Sequence, residues 1–295
     1  MRPAWRPVVR NETLEEARAR NIRDALTEDL GTGDRTAVLV PARPVLAQVR
    51  VREEAVLCGI AWFAGCVAAL DPSAAIVWRS GEGDEMEPES VVCELQGDAR
   101  SLLSAERSAL NFLPLLSGTA TATRRLVRAI ADASPNTGGC LVLDTRKTIP
   151  GLRLAQKHAV RVGGGANQRI ALWDGILLKE NHITAAGGVA AAVRAALAAA
   201  GTDGISVQVE VESLDELRAA LDAGAPSILL DDFPLERMRE AVTITAGRAL
   251  LEASGSVSEA SIRAIAATGV DRISVGALTK HVRATDYSMR LVEEA

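Results

Sequence analysis

The sequence of 295 residues predicts an α/β protein in which a barrel or open barrel of parallel strands follows a smaller α+β domain. Three observations carry this expectation. After Leu103, short apolar runs rich in β-branched residues alternate with helix-forming stretches to about residue 279, as repeated strand–helix units around a parallel sheet require. At least six such units occur, each run being followed by polar or glycine residues. None carries the glycine-rich turn of a doubly wound dinucleotide fold, which favours the barrel.

The elements follow in order. Leu14, Ala17, Ile22, Leu26 and Leu30 recur at roughly helical spacing, and Thr13 with Glu16 supplies a capping box, so a surface helix spans Leu14 to Leu30. Between Ala47 and Leu95, β-favouring pieces such as Gln48–Val51 and Ser90–Cys93 are separated by glycine-rich and acidic turns, notably Gly81 to Met86, which suggests the small α+β domain. A helix over Ala105–Leu116 is expected to end at Ser117-Gly118, dividing domain 1–116 from a barrel domain 117–279. The barrel's strand cores are Leu141–Leu143, Ile176–Leu178, Val207–Val211, Ile228–Leu230, Ala249–Leu251 and Ile273–Val275. Between them, Ser213 with Glu216 and Ser256 with Glu259 read as capping boxes, Gly224 and Gly269 as helix ends, and Pro234 as a first helical residue.

Composition narrows the function. A hydrophobic fraction of 48% and a charged fraction of 24% suit a soluble, ordered chain. The net charge of −5 argues against general affinity for nucleic acid or an anionic membrane, so any anion site must be local. Cys58, Cys66, Cys93 and Cys140 form no CxxC pair, and His158, His182 and His281 fall in no metal-binding spacing. Four buried thiols in a reducing cytosol follow. No apolar run approaches the roughly 20 residues of a membrane span, and Met1–Arg10, with three arginines, lacks the apolar core of a leader. A cytoplasmic protein is expected.

In a parallel barrel, functional residues lie at the carboxyl ends of the strands. Those ends carry Asp144-Thr145-Arg146-Lys147-Thr148, Lys179-Glu180-Asn181-His182, Glu210, Asp231-Asp232, Ser254-Gly255-Ser256 and Val275-Gly276-Ala277. Arg146, Lys147, Arg169 and Lys179 around one mouth of an acidic protein would make a local field for a ligand with several negative charges, whereas any one alone reads equally well as a solvated loop charge. Ser254–Ser256, expected to open directly onto a helix, and Val275–Ala277 offer backbone N–H groups for a phosphate. Their bland reading is a pair of tight turns. Gly163-Gly164-Gly165 decides nothing alone, and by periodicity Arg107 is an ordinary surface charge.

Longer stretches carry a family likeness. Glu106–Phe112 with Leu116–Ala120, Asp144–Arg153, Gly163–Gly165 through Arg169, and Leu178–Ile183, in that order, resemble quinolinate phosphoribosyltransferase. Val209–Ser213, Leu229–Phe233, Leu251–Gly255 and Ser274–Thr279 continue the resemblance, which runs from about Ala25 to Met289. It implies a type II phosphoribosyltransferase fold: an open α/β barrel with a smaller N-terminal α/β sandwich domain, 1–116, completed by the C-terminal segment 280–295. The implied reaction joins quinolinate to phosphoribosyl pyrophosphate with loss of carbon dioxide, giving nicotinate mononucleotide for NAD biosynthesis, with Mg²⁺. The implied assembly is a homodimer with shared active sites, higher assembly being left open.

By the same resemblance, Thr145, Arg146, Lys147, Gln168, Arg169 and Lys179 hold the pyridine carboxylates and the pyrophosphate, and Arg107 reaches into the partner's pocket. Lys147, Lys179, Glu210 and Asp231 are the implied catalytic set, with Glu210 and Asp231 beside the ribose and its magnesium, in indirect contact. Ser254, Gly255, Ser256, Val275, Gly276 and Ala277 match the phosphate cradle. Four positions depart from the common pattern: Gln168 stands where many members have His, and Ile149, Asp232 and Ser256 replace other residues. Two alternatives remain: a paralogous barrel with another acceptor, and a barrel that only binds metabolites.

Overall fold

The computed structural model describes residues 11–202 and 204–292. The arginine-bearing opening Met1–Arg10 and the last residues of the C-terminal segment lie outside the described residues. By internal packing the chain divides into two units, one ending at Leu116 and resuming at Thr285, the other running from Ser117 to Ala284.

The first unit contains α1 (Leu14–Leu30), β1 (Pro44–Val51), β2 (Ala55–Val56), α2 (Ile60–Leu70), β3 (Ala75–Trp78), β4 (Glu85–Met86) and β5 (Val91–Asp98), then the start of α3 (Ala99–Ile130). The expected capping box opens α1: the Thr13 hydroxyl accepts from the Glu16 N–H at 3.2 Å and the Glu16 carboxylate accepts from the Thr13 N–H at 2.9 Å. Ala47, Val49 and Val51 of β1 are buried while their neighbours are not, the period-two pattern of a sheet covered on one face. Trp62, Phe63, Cys66 and Val67 of the apolar α2 are buried too. Phe63 meets Trp78 edge-on, ring centroids 5.6 Å apart. The chain re-enters this unit as β12 (Tyr287–Val292), the edge of an antiparallel sheet ordered β12-β1-β5-β3.

Ser117-Gly118 does not end the helix. α3 runs 32 residues, through Pro114 and on to Ile130. Gly118 serves a close approach, not a stop: a Cβ there would lie 2.2 Å from the Arg283 carbonyl oxygen.

The second unit continues with β6 (Leu141–Leu143), α4 (Arg153–Val162), β7 (Gly175–Leu178), α5 (Glu180–Ala186), α6 (Val189–Ala200), β8 (Ser206–Val211), α7 (Leu214–Asp222), β9 (Ser227–Asp231), α8 (Leu235–Thr245), β10 (Leu250–Ser254), α9 (Glu259–Ala266), β11 (Arg272–Ser274) and α10 (Ala277–Lys280). Its six strands form a wholly parallel sheet in the order β6-β11-β10-β9-β8-β7. The first two strands in sequence therefore occupy opposite edges, and residues 144–174 connect them. This is the open barrel expected. An isolated bridge between Leu143 and Ala166 attaches that connection to the β6 edge.

Both faces of such a sheet are covered, so its strands are nearly continuous apolar runs: Ile228, Leu229 and Leu230 of β9 are all buried. The buried faces of α6 to α9, among them Val193, Leu217, Met238 and Ile262, complete the core.

Several local expectations move by a few residues. β10 begins at Leu250, not Ala249, and β11 ends at Ser274, before Val275. Pro234 is the N-cap of α8, not its first residue. At α7 the Ser213 hydroxyl caps the Glu216 N–H, but the Glu216 carboxylate takes the N–H of Glu212 at 2.8 Å. The cap of α9 is Ser258, boxed with Ser261, because Gly255 to Val257 first complete a turn.

Candidate active site

Residues that line the two cavities within the parallel sheet fall chiefly on alternate strand positions: Gln208 and Glu210 of β8, Glu252 and Ser254 of β10, Arg272 and Ser274 of β11. That alternation follows from the pleat, which sends every second side chain inward. A cavity of about 140 Å³ at the carboxyl ends brings together Thr145, Arg146, Lys147, Gln168, Arg169, Lys179, Glu210 and Ser254. A larger one, about 380 Å³, reaches Ser206, Ser227 and Arg272 at the amino ends. The smaller is the candidate site, because side chains of both signs converge there at the strand ends where parallel barrels place their sites.

The connection after β6 is rigidly held. Asp144 and Lys157, both almost inaccessible at 0% and 3%, form a buried ion pair. The same carboxylate accepts from the Asn167 side chain at 2.6 Å and from the Gln168 N–H at 3.0 Å, while Lys157 Nζ donates to the Gln168 carbonyl at 2.8 Å. Burial pushes the Asp144 carboxyl up and the Lys157 amine down, against their mutual attraction. The pair thus fixes the backbone at Gln168, one residue before Arg169. Gln156 accepts from the Ile149 N–H at 2.8 Å and donates to the Thr279 carbonyl at 2.9 Å, and the Thr279 hydroxyl donates to the Lys147 carbonyl at 2.7 Å. These bonds pin the turn bearing Arg146 and Lys147.

Gly163-Gly164-Gly165 is a packing device. A Cβ at Gly163 would lie 2.5 Å from the Ala120 carbonyl and one at Gly165 2.8 Å from Thr123, so the end of α4 rests directly on α3.

The cationic side of the cavity has unused donors. The Nε groups of Arg146 and Arg169 are buried without a hydrogen-bond partner among the described residues. Burial and then the charge of Arg146 push the Arg169 guanidinium down. A dianion between them would supply both acceptors and relieve the repulsion. On the opposite side, Lys179 Nζ donates to the Glu210 carboxylate at 2.6 Å, with Glu210 largely shielded. Asp231 lies beside them; burial raises its carboxyl, Glu210 and Asp232 raise it further, and Lys179 and Lys147 oppose them.

The two glycine-bearing turns differ from expectation. Ser254–Ser256 does not begin a helix, since α9 starts at Glu259. Gly255 has φ +138°, and a Cβ there would strike Asp232 Oδ1 at 2.2 Å, so only glycine fits. Gly276 is the residue that directly caps a helix, the short α10, and a Cβ on it would lie 3.2 Å from Lys147 Cδ. Gly276 thereby touches the basic turn. Asp231, Gly255, Ser256, Val275, Gly276 and Ala277 do not line the cavity itself. Arg107 belongs to the first unit, exposed on α3.

Fold and cavity together define an open α/β barrel with basic and acidic side chains meeting at its strand ends. A family model for the quinolinate phosphoribosyl transferase C-terminal domain matches residues 119–290, and one for the N-terminal domain matches residues 32–117. The chain is 40% identical over 281 residues to a nicotinate-nucleotide pyrophosphorylase (carboxylating) of Mycobacterium leprae, covering 92% of this chain and 95% of that one. It is 39% identical over 263 residues to a probable enzyme of the same name from Bacillus subtilis, covering 89% of each. The solved structure of the nicotinate-nucleotide pyrophosphorylase from Francisella tularensis superposes with a TM-score of 0.90 at 44% identity, covering 96% of this chain and all, 100%, of that one. The chain belongs to the quinolinate phosphoribosyltransferase family.

Reading the sequence missed Lys157, Gln156 and Thr279 as supports of the site. Lys157 had a signal: a lysine at the buried face of α4, between Ala155 and Ala159, needs an acid partner. Among the described residues no single helix is long and apolar enough to cross a membrane.

Proposed function

We propose that this protein transfers the phosphoribosyl group of phosphoribosyl pyrophosphate to the ring nitrogen of quinolinate and releases the adjacent carboxylate as carbon dioxide, giving nicotinate mononucleotide and pyrophosphate. The observation that carries the reading is the meeting of Arg146, Lys147, Arg169 and Lys179 with Glu210 on one cavity at the strand ends. Arg146 and Arg169, with their unpaired buried Nε groups, receive the two ring carboxylates, and Gln168 adds a neutral donor. Lys147 and Lys179 take the pyrophosphate, and the turns at Ser254–Ser256 and Val275–Ala277 take the 5′-phosphate.

The pyridine nitrogen is the nucleophile, so no protein nucleophile is needed. As pyrophosphate departs, positive charge grows on the ribose, and Glu210 and Asp231 stabilise it. The pyridinium then accepts the electrons left at C2 when carbon dioxide leaves. Glu210 and Asp231 offer the hard oxygen donors Mg²⁺ takes, in indirect contact with the ion, whose charge would oppose the burial and acidic neighbours that raise Asp231. When bound, Mg²⁺ neutralises charge on the leaving pyrophosphate. Arg107 of a second copy completes the acceptor pocket in a homodimer that works in the cytoplasm.

The test is release of the labelled C2 carboxylate of quinolinate. Carbon dioxide should appear only with phosphoribosyl pyrophosphate and Mg²⁺ both present. Turnover of nicotinate with none of quinolinate would refute the proposal.

A further inference from the structure

At the wall of the site, three polar side chains from three parts of the chain join in line, and Gln168 and Glu252 both line the site cavity. Gln168 Nε2 donates to Gln208 Oε1 at 2.9 Å, and Gln208 Nε2 donates to Glu252 Oε2 at 2.9 Å and to the Ser227 hydroxyl at 3.2 Å. Gln208 and Glu252 are buried, at 7% and 1% exposure, and Glu252 Oε1 has no hydrogen-bond partner among the described residues. Buried polar groups in such a place stabilise little unless their geometry is used.

The chain has a direction. Gln208 spends both N–H groups, one on Glu252 Oε2 and one on the Ser227 hydroxyl, which leaves only its oxygen for Gln168. Gln168 must then turn its own nitrogen inward. One amide N–H and the carbonyl oxygen of Gln168 remain, on a wall shared with Arg146 and Arg169. Its backbone is already held at both ends by Asp144 and Lys157. Burial raises the Glu252 carboxyl above its ordinary value, opposed by the Gln208 amide, the Ser274 hydroxyl and Arg272, its partner in the strand register, with Asp144 adding to the rise.

We propose that Glu252 is a positioning residue: acting through Gln208, it sets which way the Gln168 amide faces and thereby tunes recognition of the aromatic dicarboxylate acceptor. This rests on the functional reading above. It separates acceptor recognition from recognition of the sugar phosphate, to which the proposed function assigns none of the three residues.

Glu252→Gln keeps the shape and removes the fixed polarity, because an amide can donate or accept. The expected result is a quinolinate KM raised roughly 3- to 10-fold, with the KM for phosphoribosyl pyrophosphate within about twofold and the unfolding midpoint unchanged. In a Gln168→Ala background the same substitution should add nothing, since a residue acting only through Gln168 has no route left. Side-chain amide resonances of Gln168 in ¹⁵N-labelled protein, assigned by their loss in Gln168→Ala, should shift in Glu252→Gln whether or not the protein turns over quinolinate. An undiminished effect in the Gln168→Ala background, or Gln168 resonances that do not move, overturns the relay. Absence of carbon dioxide release from the wild type, with the resonance shift present, overturns the functional reading and leaves the relay standing.

Discussion

Lys157→Met tests whether the buried ion pair anchors the connection that bears Gln168. The substitution keeps the stem of the side chain and deletes two donors, one to Asp144 and one, at 2.8 Å, to the Gln168 carbonyl. Asp144 is left fully buried, at 0% exposure, with only the Asn167 side chain and the Gln168 N–H donating to it. Breaking a buried pair from one side costs about 3–5 kcal/mol. Two surviving donors place the expectation at the lower end, about 3 kcal/mol. For a cooperative unit of this size each kcal/mol lowers the unfolding midpoint by about 2–4 °C, so a fall of about 6–12 °C is expected in thermal unfolding followed by circular dichroism at neutral pH. Adding Asp144→Asn should restore at least half of the loss, because no uncompensated charge remains. A single variant melting within about 1 °C of wild type, or a double variant as low as the two losses summed, would refute the assignment of the pair as a structural anchor.

Other outcomes follow from the same geometry. Arg146→Ala should raise the quinolinate KM by roughly 10- to 150-fold, the loss of one charge-assisted contact, with a smaller change in kcat. Glu210→Ala should instead lower kcat by about a hundredfold at nearly constant quinolinate KM, and steady-state kinetics separate the two. Asp231 binds its proton more tightly folded than unfolded, so wild-type stability falls as pH rises from about 4 through its raised pKa; Asp231→Asn should flatten that part of a denaturation profile, and an unchanged slope would contradict the crowding described. Mixing an Arg107→Ala chain with a Lys147→Ala chain should regain part of the activity that each lacks alone, if sites are shared between copies; no rescue at any mixing ratio would count against it.

The strands were legible because parallel barrel strands are buried on both faces and read as short apolar runs ending in polar residues, as Ile228–Leu230 followed by Asp231 does. What sequence reading misjudged were glycines and caps, whose roles depend on what lies across space. Gly118 looks like a helix stop, yet it is a notch for the Arg283 carbonyl inside a continuing helix. Ser256 looks like a cap, but Gly255 is needed for the bend over Asp232, which delays the helix until Ser258 can serve. For the site, charge at the strand ends sufficed to select Arg146, Lys147, Lys179 and Glu210. It could not expose Lys157, Gln156 or Thr279, whose bonds join positions up to 132 residues apart in sequence.

The seam between β6 and β7 has a bearing on how this enzyme type diversifies. Those edges do not pair, so apart from the bridge at Ala166 the stretch 144–174 lies outside the sheet's strand order, and it bears Arg146, Arg169 and Gln168, to which the proposal gives the acceptor, together with Lys147. Glu210, Asp231 and the two glycine-bearing turns, to which the proposal gives the ribose and the 5′-phosphate, sit on or just after β8 to β11, whose register is fixed by neighbours on both sides. Exchange of that one contiguous insert, with Lys147 retained, could therefore admit a different aromatic acid while the ribose and 5′-phosphate groups are inherited.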